Sequence, residues 1–126
     1  MPLCLAAGAV TAVLAADAFT LAWTHSIEKI LWEEDWQVQG RTLVLTEARV
    51  RGTGAGMEPP AEAQFRDGAW HYRPRLPPLP ELQVRQAPEV EGYRLCVAGR
   101  CRPLAELLAG AENESLVRLL PCTPKP

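Results

Sequence analysis

From Phe19 the chain alternates between two sides with a period of two, and that alternation is the strongest constraint on its fold. Phe19, Leu21, Trp23 and His25 share one side, and Thr20, Ala22, Thr24 and Ser26 share the other. This is the pattern of a half-buried β-strand. Trp32, Glu34, Trp36 and Val38 repeat it after a charged turn. Residues 41–51 predict a third, longer strand with Val44, Thr46, Ala48 and Val50 on one face. Its other face begins apolar at Leu43 and Leu45 and then becomes Glu47, Arg49 and Arg51, so the strand is expected to leave the core for a polar rim. Three glycines within residues 52–56 end it, since glycine adopts backbone angles that other residues avoid.

Further strands are expected over residues 69–73, with Trp70 and Tyr72 on one face, at Tyr93, Leu95 and Val97, and over residues 116–120. Residues 74–88 are proline-rich and read as extended, polyproline-like chain. Helical spacing occurs over residues 103–110, where Leu104, Leu107 and Leu108 share a face between Pro103 and Gly110. The chain is therefore expected to be mainly β: a small antiparallel β-sandwich or barrel-like sheet with one short C-terminal helix. Its 126 residues suit a single core. A net charge of −2, with basic residues scattered, excludes a strongly electrostatic nucleic-acid binder.

Residues 3–16 carry no charge. The run is shorter than the roughly 20 residues of a membrane-spanning helix. It reads as the apolar centre of a secretory signal, with Ala16-Asp17-Ala18 as the cleavage site. The expected domain plan is thus a signal over residues 1–18 and one β-rich domain over residues 19–126, with membrane contact only if the signal stays uncut. No Lys or Arg precedes the run, and a short buried element or an uncleaved anchor is the alternative. Cys4 would leave with the signal. Cys96 and Cys101 face each other across a hairpin tipped by Ala98-Gly99 and are expected to form a disulfide, as an exported protein allows. Cys122 remains over, or pairs with one of these two.

The richest segment for chemistry is residues 23–36, which hold His25, Ser26, Glu28, Lys29, Glu33 and Glu34. A Ser26–His25 nucleophile pair fails, because neighbouring strand residues point to opposite faces. A metal set of His25, Glu28 and Glu33 or Glu34, with His71 from a distant strand, follows no established spacing. The glycine segment lacks the following helix of a dinucleotide-binding turn. Its backbone N–H groups, with Arg49 and Arg51 nearby, suit a carboxylate or phosphate. Pro77-Pro78-Leu79-Pro80 suits a strap across Trp70, Trp36 or Tyr72 better than a ligand for an SH3-type groove.

The segments Trp23-Thr24-His25-Ser26-Ile27-Glu28-Lys29, Trp32-Glu33-Glu34-Asp35-Trp36, Gly54-Ala55-Gly56-Met57, Leu95-Cys96 and Gly99-Arg100-Cys101 resemble a bacterial family of small exported domains of unknown function. Its members are typically encoded beside TRAP transporters of the TAXI type. The resemblance implies a periplasmic accessory or binding module for organic-anion uptake, with transporter components as partners; from the residues themselves, no cofactor or metal is expected. The expected ligand site joins His25, Glu28 and Lys29 to Arg49, Arg51, Gly54 and Gly56, and would take a small carboxylate. The alternative is a small hydrolase or metal-dependent enzyme using His25 and Glu28.

Overall fold

The computed structural model describes residues 2–24, 30–51, 60–86, 92–111 and 114–122. Among these, two antiparallel sheets stack as a sandwich and do not close into a barrel. The larger sheet is built around β3 (Ala18–Thr24), β4 (Leu31–Gln39) and β5 (Thr42–Arg51). β6 (Gln64–Arg66) and β7 (Ala69–Tyr72) extend one edge. β9 (Arg94–Val97) and β10 (Arg100–Pro103) extend the other, giving the order β10-β9-β3-β4-β5-β7-β6. The smaller sheet has the order β2-β1-β11-β8, from β1 (Leu3–Ala7), β2 (Val10–Leu14), β8 (Leu82–Arg85) and β11 (Leu116–Pro121).

The alternation places Phe19 and Leu21 of β3, Trp36 and Val38 of β4, and Leu95 of β9 on the face turned to the smaller sheet. There they meet Leu3, Leu5, Val84, Val117 and Leu119. Each aliphatic side chain taken fully from water contributes about 1.5–3 kcal/mol.

The uncharged first segment is part of this sandwich. Gly8, at φ +58, turns the chain between β1 and β2, and β1 then lies between β2 and β11. Leu3 and Leu5 are 0% exposed. Cys4, expected to leave with a signal, is bonded to Cys122, so Cys122 neither remains over nor joins the hairpin cysteines. Hydropathy alone could not distinguish a leader from an inner strand, because both are uncharged and apolar.

The Cys96–Cys101 bond forms as expected, between residues directly opposite in β9 and β10. Ala98 and Gly99 take φ values of 52° and 80°, the paired left-handed angles of a tight two-residue hairpin turn. Helix α1 is only Leu104–Leu107, because Pro103 is extended and Leu108 leaves helical angles. Within the segment expected to be extended and polyproline-like, Leu82–Arg85 forms the paired strand β8 against β11, and residues 87 and 88 lie outside the described residues. The proline segment meets β5 edge-on, through reciprocal backbone bonds between Leu43 and Leu79 of 2.7 and 2.9 Å, and Leu79 packs against the core cluster that contains Trp36.

β5 also departs from simple alternation. Trp36 pairs with Leu45 and Asp35 with Glu47, so Thr46 is an extra residue on β5. Its hydroxyl donates to the Asp35 carbonyl across 3.1 Å. This bulge reverses the strand's phase. Leu43 and Leu45 face inward before it, and Ala48 and Val50 face inward after it. The expected face that would carry Leu43 and Leu45 together with Arg49 does not exist.

Candidate functional site

β3 and β5 both run antiparallel to β4 and therefore run in the same direction. Trp23, Trp32 and Val50 lie in one row across the three strands. Thr24 and Arg51, the last residues of β3 and β5, consequently lie at the same end of the sheet. Of the site residues expected from sequence, His25, Glu28, Lys29, Gly54 and Gly56 fall outside the described residues, and so does Ser26. Arg49 and Arg51 are described.

Arg49 belongs to a charge ladder on the outer face of the large sheet. Its Nη1 and Nη2 donate to the two Asp35 carboxylate oxygens at 2.6 and 2.8 Å, the fork-on-fork geometry that guanidinium favours. Nη1 also donates to Glu47 at 2.8 Å, and Nε lies 3.5 Å from Glu33. Every nitrogen of Arg49 therefore faces a carboxylate already. Thr20 donates to Asp35 across 2.6 Å, which ties β3 into the same set. Arg51 is 45% exposed at its side chain, with Nε 3.0 Å from Glu33 and a longer 3.5 Å contact from Nη1 to the Asp67 carbonyl. Arg66 and His71 both approach Glu47, each at 3.2 Å. His71 Nε2 is buried without a hydrogen-bond partner. Among the described residues no group of three His, Cys, Asp or Glu side chains is placed to hold a metal.

Hydrogen bonds from Arg49, ahead of the opposing effect of burial, hold Asp35 below the ordinary carboxylate range. A depressed folded value means that Asp35 stabilises the fold fully at neutral pH and that this contribution is lost as acid protonates it. Asp35→Ala should cost about 2 kcal/mol, below the 3–5 kcal/mol of a fully buried broken pair because the site is partly solvated. Urea unfolding of wild type and variant should therefore converge from about pH 5 downward; a gap that stays constant into acid would contradict this account.

The inner face holds a second constellation, at the end beyond the main core. The row Trp23–Trp32–Val50–Trp70–Phe65 crosses β3, β4, β5, β7 and β6. The next row contains Leu21, Glu34, Ala48 and Tyr72. Trp23 and Trp32 stack with centroids 6.0 Å apart, and Tyr93 lies 5.4 Å from Trp23. Trp36 Nε1 donates to Glu34 across 3.3 Å. Burial raises the Glu34 carboxyl above its ordinary value, with the Trp36 bond acting in the opposite direction. Tyr72 and Tyr93 are both raised, first by burial and then by the negative charge of Glu34. Sequence reading placed Glu34 in a speculative metal set. Its position on the apolar side of β4, in phase with Trp32 and Trp36, was the available signal of a carboxylate turned inward.

No curated protein and no solved structure matches the chain. Residues 19–104, from β3 to the first residue of α1, match the family model described as "Domain of unknown function (DUF1850)", and as this span is more than half of the chain, the protein belongs to that family.

Proposed function

We propose that the protein is an exported accessory or binding module that serves organic-acid uptake by a TAXI-type TRAP system, in the periplasm. The observation that carries this reading is the shared direction of β3 and β5. It puts Thr24 and Arg51 at one end of the sheet, next in sequence to the segments that hold His25, Glu28, Lys29, Gly54 and Gly56. Export is supported by two disulfides, which persist in oxidising compartments. No helix among the described residues is long and apolar enough to cross a membrane.

Arg49 takes a structural part in this proposal, since its nitrogens are engaged. Arg51, more exposed and less completely engaged, is the arginine that meets a carboxylate ligand, with Lys29 and the glycine loop. A ligand at one hundred times its Kd stabilises the folded state by about 2.7 kcal/mol. Thermal unfolding with mono-, di- and tricarboxylates should show such a rise for at least one acid. Arg51→Ala should abolish that rise and leave the unliganded melting temperature nearly unchanged. An unchanged rise in the variant, or no response to any acid together with no capture of transporter components, would overturn the reading.

A further inference from the structure

We propose that the inner face around Glu34 is a binding site for a small organic ammonium ion. This inference does not rest on the carboxylate reading above, which concerns Arg51 and the strand ends.

The two faces of β4 treat their carboxylates differently. On the outer face, Glu33 and Asp35 are each paired with arginine. On the inner face Glu34 lies between Leu21 and Ala48, which are 2% and 3% exposed. Its bond from Trp36 brings a neutral donor and no positive charge. Among the described residues no lysine, arginine or histidine pairs with it. A half-buried carboxylate with no counter-charge among the described residues is a standing cost to the fold, and a bound cation removes that cost.

The surroundings select the kind of cation. Tryptophan and tyrosine rings present negative π-faces, which attract a weakly hydrated cation more strongly where water is thin. Here Trp32 and Tyr93 flank Trp23, and Trp36 bonds the carboxylate itself. Strand register places Glu34 on the same face as Trp32 and Trp36 of its own strand and in one row with Tyr72, so the carboxylate shares the inner face with the rings. A divalent metal would require several oxygen ligands, and one carboxylate does not supply them. A methylated ammonium matches the site, because it carries one positive charge, holds water weakly and offers an apolar surface to the rings.

Choline titrated into the intact protein should produce a saturable change in tryptophan fluorescence. Its neutral isostere 3,3-dimethylbutan-1-ol should bind at least about tenfold more weakly, equivalent to about 1.4 kcal/mol. Glu34→Gln keeps an acceptor for Trp36 and should weaken choline by at least the same factor, with a melting temperature equal to or above that of wild type. Should that variant fail to fold, the wild type itself provides the test, since choline binding should fade as acid neutralises Glu34. The proposal is overturned by absence of saturation across the millimolar range, by equal binding of the neutral isostere, or by binding that is indifferent to both the substitution and acid.

Discussion

A chain that starts at Phe19 is expected to lose cooperative folding. Removing residues 1–18 takes away β1 and β2, and with them Leu3, Leu5 and Ala7, none more than 2% exposed. β11 would lose the partner that pairs Leu5 with Leu119 and Cys4 with Leu120, leaving it bonded only to β8. Val117 and Leu119, both 0% exposed in the intact fold, would then face solvent. The lost burial amounts to several side chains at about 1.5–3 kcal/mol each, against a usual total stability of about 5–15 kcal/mol. Urea unfolding followed by tryptophan fluorescence and far-ultraviolet dichroism should show a broad transition with a reduced slope for residues 19–126. A transition as sharp as that of the 126-residue chain would mean that the first segment is dispensable, as a cleaved signal must be.

The second large effect is expected from the bond between Cys4 and Cys122. It joins residues 118 apart in sequence, so it restrains nearly the whole unfolded chain. In the chain-entropy account, closing a loop of about 100 residues contributes roughly 4.7 kcal/mol. The double substitution Cys4→Ser, Cys122→Ser should lower the melting temperature by more than about 10 °C. The corresponding change at Cys96 and Cys101, separated by only 5 residues, should cost much less because little entropy is lost in closing so short a loop. Thermal unfolding of both variants beside the wild type decides the matter. Equal shifts for the two pairs would show that loop entropy does not govern stability here.

Both expectations concern the part of the fold that sequence reading understood least. A period of two reports which side of a strand is apolar, and it does so locally. The sides of β3 and β4 were therefore legible from Phe19, Leu21 and Trp23 and from Trp32, Trp36 and Val38. The Cys96–Cys101 hairpin was legible for the same reason, since its spacing and its Ala98-Gly99 tip lie within a few residues. A predominantly β architecture followed from these elements together.

What only the tertiary structure decided was pairing between distant segments. Residues 3–14 carry the same uncharged signal as a leader, and their status as strands depends on β11, more than one hundred residues away. The reversal at Thr46 depends on a mismatch with β4 that β5 does not encode alone. Arg49 read as a ligand-binding cation until Asp35, Glu47 and Glu33 were placed around it. Glu34 read as one member of a metal set, and it became distinct once the strands put it on a face with aromatic rings and no cation among the described residues beside it. Burial and charge compensation are properties of neighbours, and strand register, a non-local quantity, determines which neighbours a residue has.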